Sequence, residues 1–142
     1  MIKTILLAVD LNHESSWRKA LPQAVALAQA NGAELHVMTV IPSYGMAMVG
    51  AYFPKDFADK AEAASLEALN ELVQREVPAD LDVKVHVIHG TIYKKIIEIA
   101  DMIGANLIVM AAARSEMQDY LIGPNAAKVV RHAKQSVYVV RE

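Results

Sequence analysis

The first apolar run, residues 5–9 (Ile-Leu-Leu-Ala-Val), is unbroken and ends at Asp10. A run of that length without polar alternation predicts a strand covered on both faces, as in the middle of a parallel sheet. Residues 11–16 form a polar turn cluster in which Ser15 or Ser16 can cap the next helix. Residues 17–31 then set Ala20, Leu21, Ala24, Val25, Leu27 and Ala28 on one broad apolar face. Pro22 falls in the first turns, where its missing N–H costs little, and Asn31-Gly32 is a stop signal. A second apolar strand follows over residues 33–41 and is ended by Pro42.

Beyond it comes a long apolar connection holding Tyr44, Met46, Met48, Tyr52 and Phe53. Residues 55–76 predict a long helix whose buried side is Phe57, Ala61, Ala64, Leu66, Ala68, Leu69, Leu72 and Val73. Residues 81–88 alternate, with Val83, Val85 and Val87 on one face and Lys84 and His86 on the other, the pattern of an edge strand. His89-Gly90-Thr91 predicts a turn, with Thr91 capping a helix over 92–103 that Gly104 ends. That helix turns Ile92, Ile96, Ile97, Ile99 and Ala100 to the core. Residues 107–110 make a fourth strand, 126–132 a last helix, and Val137-Tyr-Val-Val140 a fifth strand.

Strands and helices therefore alternate from end to end, which predicts an α/β fold, a parallel five-stranded sheet with helices on both faces. A central first strand and an alternating third strand suit the order 3-2-1-4-5. The winding then reverses between strands 1 and 4, and ligands of such sheets sit in the crevice above that point. Asp10 closes strand 1, and the loop after Met110 closes strand 4. Gly123-Pro124-Asn125 opens the last helix, where backbone N–H groups without helical partners suit an anion.

Composition narrows the function. The 142 residues suit one domain, residues 1–142, and 54% of them are hydrophobic, enough for a sizeable core. Lys+Arg of 14 against Asp+Glu of 16 leaves no basic excess for nucleic acid. Cysteine is absent, which rules out a disulfide framework, a thiolate metal site or a cysteine nucleophile and fits a cytoplasmic protein. The N-terminal apolar run is too short to insert in a membrane. The five histidines are scattered without metal-ligand spacing. His36 and His86 fall within strands and His132 near a helix end, where positive charge is favourable. No phosphate loop with Gly-Lys-Ser/Thr, nucleophile elbow or paired carboxylates is present, so catalysis has little support.

Several segments together resemble the universal stress protein (UspA) superfamily. They are Ile5-Leu-Leu-Ala-Val-Asp10, the Gly90 turn with Ile96-Ile97 and Ala100, Leu107-Ile-Val-Met110, and Gly123-x-Asn125 leading to Val129-Val-Arg-His-Ala133 and Val137-x-Val-Val140. The last helix and the Tyr/Met/Gly loop are most similar to the UspF/UspG-like branch. The resemblance implies a Rossmann-like fold, of the adenine nucleotide alpha hydrolase-like kind. It also implies cytoplasmic homodimers paired through the last strand, and ATP or AMP binding, with or without Mg²⁺. On that resemblance Ala8, Val9 and Asp10 approach adenine and ribose, and Val40 and Ile41 lie beside the base. Met110, Ala112 and Arg114 belong to the strand-4 end and its loop. Gly123, Pro124 and Asn125 stand at the phosphate-binding helix start.

The chain departs from the family's ATP-binding pattern, Gly-x-x-Gly, nine residues, Gly-Ser/Thr. Ala111 and Arg114 stand near the first two glycines, and the last pair is Gly123-Pro124. A Cβ hinders close approach of the backbone to phosphate, and Pro124 lacks both the N–H and the hydroxyl. Arg114 can supply a charge-assisted contact instead, or be a solvated loop arginine. Asp10 is a ribose or Mg²⁺ partner, or a cap for its own turn; Asn125 contacts phosphate or supports the helix. The apolar edge Val137–Val140 invites antiparallel pairing in a two-fold dimer, and the loop containing Tyr44 and Phe53 is a lid, a contact that would build a tetramer, or packing over the next helix. Three functions follow: a nucleotide-binding stress-response regulator, an interaction protein whose site has degenerated, and a very slow ATPase or self-phosphorylating protein.

Overall fold

The computed structural model describes residues 1–42, 55–112 and 124–141. Five strands form one parallel sheet: β1 Thr4–Ala8, β2 Glu34–Pro42, β3 Val83–Gly90, β4 Leu107–Ala111 and β5 Ser136–Val140. Their order is β3-β2-β1-β4-β5, as the alternation along the chain predicts. The helices between them are α1 Ala20–Asn31, α2 Lys55–Glu76, α3 Ile92–Ile103 and α4 Pro124–His132. The arrangement is Rossmann-like. Arg114, Gly123 and the loop with Tyr44 and Phe53 lie outside the described residues. Among the described residues, no helix is long and apolar enough to cross a membrane.

Strand alternation divides the core into two layers. Ile5 and Leu7 of β1, Leu35 and Val37 of β2, and Leu107 and Val109 of β4 face α1 and α2, which contribute Leu21, Ala24, Ala28, Leu69 and Leu72. Leu6, Met38, Ile108 and Met110 face α3 and α4, which contribute Ile96, Ile99, Ala100, Ala126 and Val129. Both faces of β1 are thus buried, which is why its sequence shows no alternation. Gly32 and Gly104 end α1 and α3 in the left-handed conformation, with φ of 61° and 67°, a backbone that side chains with a Cβ disfavour.

Some local expectations change. Ser16 does not cap α1, which starts at Ala20 after a single 3-10 turn, Glu14–Ser16, and its first residue is preceded by Lys19 with no side-chain cap. Pro22 still falls in the first turn, as its chemistry requires. Thr91 precedes α3 in an extended conformation but makes no side-chain cap either. On α2, Phe57 and Leu66 are exposed, as are Ala64 and Ala68, while Ser65 is half-buried, Leu69 and Leu72 are buried and Val73 is half-buried. The stripe at 61, 65, 69, 72 and 73 follows the helical period; the wider expected set wrapped onto the solvent side. β3 begins two residues late and runs on through His89 and Gly90, which pair with Ile41 and Pro42.

The two strand histidines form a small polar unit inside the sheet. His36 is buried and its Nδ1 lies 2.8 Å from His86 Nε2, with the rings stacked at 5.1 Å. His36 Nε2 lies 2.7 Å from Glu34 Oε1, and Lys84 Nζ reaches the same oxygen at 2.8 Å. Since Glu34 accepts, His36 Nε2 carries a proton, and the two imidazoles then share one further proton across their contact. Burial holds the His86 imidazole below the usual histidine range, with repulsion from His36 and Lys84 adding to it. The hydrogen bond from Lys84, then that from His36, holds the Glu34 carboxyl low.

Candidate functional site

Above the carboxyl ends of β1, β2 and β4 lies a cleft of about 630 Å³, within the size range of small-molecule sites. Much of its wall comes from four separate parts of the chain. Ala8, Val9 and Asp10 follow β1; Met38, Thr39, Val40 and Ile41 end β2; Met110, Ala111 and Ala112 end β4; Pro124, Asn125 and Ala126 begin α4. Nine of the expected site residues meet there: Ala8, Val9, Asp10, Val40, Ile41, Met110, Ala112, Pro124 and Asn125. Arg114 and Gly123 are outside the described residues. A more open depression of about 680 Å³ at the opposite end of the sheet is lined by Gly32, Glu34, Asp80 and Asp82, and among the described residues no helix starts beside it.

Pairing continues just past the strand ends. Val9 leaves the β1 strand but still donates its N–H to Met38 O at 2.9 Å, while Ala112 donates to Val140 O at 2.8 Å. Past Val9 the chain turns sharply. Ser16 Oγ accepts the Asp10 N–H at 2.8 Å and lies 2.8 Å from Asp10 O and 2.7 Å from His13 O, so its one proton is shared between two carbonyls. The hydroxyl expected to cap a helix instead ties the turn into a rim.

Asp10 Oδ1 accepts the Asn12 N–H at 2.9 Å, and Oδ2 lies 2.8 Å from His13 Nδ1. The carboxylate therefore supports its own turn. Each oxygen keeps a second lone pair, so a further donor from a ligand remains possible. Its side chain is about half exposed, and it lines the cleft.

The opposite wall begins with Pro124, the first residue of α4. The first N–H groups of a helix have no helical acceptor. Pro124 supplies none, but Asn125 and Ala126 each carry one at the cleft wall. The floor is apolar, formed by Ala8, Met38, Val40, Met110, Ile92 and Ile96, and the rim is polar, formed by Asp10, Asn12, His13, Ser15, Ser16 and Asn125. That division suits a ligand with a flat apolar part and a polar or anionic part.

Several lining residues were not among the expected site residues, and five of them are instructive. Ile92 and Ile96 of α3 look in sequence like ordinary core, although their spacing of four puts both on one helix face. Ser65 of α2 and His13 lacked any local marker. Thr39 is a buried polar side chain next to Val40, and that polar interruption in an apolar run was the signal available. Among the described residues, no cluster of three or more His, Cys, Asp or Glu is placed to hold a metal.

Comparison with known proteins identifies the family and agrees with the fold. A model of the universal stress protein family matches residues 1–141. Universal stress protein G of Escherichia coli O157:H7 is 31% identical over 145 aligned positions, covering 99% of this chain and all of that protein. The solved structure of universal stress protein UspA from Lactobacillus plantarum superposes with a TM-score of 0.76 at 23% identity, covering 99% of this chain and 98% of that one. A universal stress protein solved in complex with cAMP has a TM-score of 0.65 at 23% identity, covering 99% and 97%.

Proposed function

The chain belongs to the universal stress protein family, and from that premise we propose that it is an adenine-nucleotide-binding regulatory protein. The observation that carries the reading is the convergence of three strand ends and a helix start on one cleft with an apolar floor and a polar rim. Val40, Met110, Ile92 and Ile96 provide surface for a base. The ribose and phosphates then fall between Asp10 and the N–H groups of Asn125 and Ala126. A relative of similar fold is known in complex with cAMP, which supports an adenine ligand of this size class.

The proposal extends to assembly. Among the described residues β5 pairs only with β4, and an open apolar edge is a pairing surface. Two copies joined antiparallel along Val137–Val140 would cover it and close the symmetry. The same reading takes the protein as cytoplasmic, on the absence of cysteine. Nucleotide occupancy would act by changing the exposed rim rather than by chemistry.

Isothermal calorimetry with ATP, ADP and AMP, with and without Mg²⁺, tests the ligand. Saturable heat for at least one nucleotide supports the reading. Absence of heat at millimolar nucleotide removes it and leaves an interaction protein with a site closed by Pro124. Size-exclusion chromatography with light scattering tests the dimer: a monomer at all concentrations would contradict the edge pairing.

A further inference from the structure

We infer that His13 is a proton-dependent handle for the anionic part of the ligand, an inference that rests on the nucleotide reading above. Among the described residues that line the cleft, His13 is the one base and Asp10 the one acid. They are in contact, His13 Nδ1 to Asp10 Oδ2 at 2.8 Å. Asp10 accepts at that oxygen, so Nδ1 carries the proton and Nε2 is the ring nitrogen left for a ligand.

The geometry is held rather than incidental. His13 donates its backbone N–H to Asp10 O at 3.0 Å, and its carbonyl accepts from Ser16 N at 3.0 Å and from Ser16 Oγ at 2.7 Å. Three bonds of the main chain and one of the side chain thus place the ring on the rim, where it is about one-third exposed. With a neutral imidazole, the pair carries one negative charge and Nε2 presents a lone pair to an incoming phosphate oxygen. With a protonated imidazole, the pair is neutral and Nε2 presents a donor. The sign of the rim facing a phosphate therefore depends on one proton.

The other described walls of the cleft add no charged side chain to this pair. β1, β2 and β4 contribute uncharged side chains above Asp10, α4 contributes Pro124, Asn125 and Ala126, α2 contributes Ser65, and α3 contributes Ile92 and Ile96. Glu14 follows His13 in the same 3-10 turn and is the nearest further charge along the chain. His89 and Glu62, 3.5 Å apart, form a separate pair that does not line the cleft.

The test compares ATP with adenosine, at about pH 8 and about pH 5.5, a span that contains the titration of imidazoles in general. Calorimetry is run on the wild-type protein, His13→Gln and His13→Lys. Titration of the ATP phosphates affects all three proteins alike, so the variants provide the reference. The expected result is that wild-type ATP affinity gains about threefold to fivefold more on acidification than that of His13→Gln, the range of a partly exposed charge pair. Adenosine affinity shows no such excess. His13→Lys binds ATP at pH 8 more tightly than wild type and loses the excess pH response. An equal pH response in wild type and His13→Gln, with ATP still bound, overturns the role of His13 and leaves the nucleotide reading standing. No ATP binding by any of the three proteins at either pH overturns both.

Discussion

At the amino ends of the strands, polar groups are closed against one another; at the carboxyl ends they are turned toward an open cleft. Asn106 Oδ1 accepts from Lys3 N at 2.7 Å and Thr4 N at 2.9 Å, while Asn106 N donates to Thr4 O at 2.8 Å. Glu34 N reaches Lys3 O at 2.8 Å, and Glu34, His36, His86 and Lys84 form their own hydrogen-bonded unit. At the other end, Asp10, His13 and Ser16 tie their turn together, but the space in front of them is empty enough for a small molecule. The same residue types serve both ends. A histidine paired with a carboxylate is structural where the sheet buries it and available where a turn carries it to a rim. The lower end holds the fold, and the upper end can change chemistry at little cost to stability.

The largest expected effect lies in the lower half. Leu35 is fully buried and sits in register with Ile5 and Val83 on its two neighbouring strands. Leu35→Ala should cost about 2–5 kcal/mol, measured by urea unfolding. A cost below about 1 kcal/mol would mean that the lower half does not carry the stability assigned to it. Asn106→Ala comes next, at about 1–2 kcal/mol, because two backbone N–H groups lose their acceptor. Their exposure limits the loss, since water can replace the amide.

A smaller effect is expected from pH. The folded state holds His86 below its ordinary range, so the unfolded chain binds that proton first as pH falls. Stability should therefore be full above the usual histidine range and decline as pH drops through it, with Glu34 adding a further decline below the usual carboxylate range. Replacing His86 by Gln should flatten the upper part of that decline in urea midpoints between about pH 7.5 and 5.5. An unchanged slope would move the pH sensitivity elsewhere.

The smallest stability change belongs to the cleft. Asp10→Ala and Pro124→Ser should each alter folding by no more than about 1 kcal/mol, while moving ATP affinity in opposite directions. Asp10→Ala weakens it, and Pro124→Ser tightens it by about fivefold, through a restored N–H and hydroxyl at the helix start. Equal affinity in both variants would mean that the ligand contacts neither wall.

The fold was legible because its signals are periodic. The unbroken run before Asp10 marked a strand buried on both faces, and the Val83-Val85-Val87 alternation marked an edge; both placements hold in the sheet. What stayed hidden depends on side-chain geometry across separate elements. Ser15 and Ser16 have the chemistry of helix caps, and only the turn geometry shows that Ser16 binds Asp10 instead. His36 and His86 are 50 residues apart and carry no mutual signal until β2 and β3 align. Asp10 and Asn125 were legible as residues of the cleft because topology alone brings strand ends and a helix start together. His13 and Ser65 were not, because their position depends on a turn and on the rotation of a long helix.

The central claim is that a nucleotide occupies the upper end and leaves the lower end untouched. Backbone amide NMR of the labelled protein, titrated with ATP, reads both ends in one experiment. The account predicts saturable shifts at Val9, Asp10, Ile41, Ala112, Asn125 and Ala126, with Lys3, Thr4, Glu34 and Asn106 unmoved. Saturable shifts centred on Gly32, Asp80 and Asp82, or none anywhere at millimolar ATP, would contradict it.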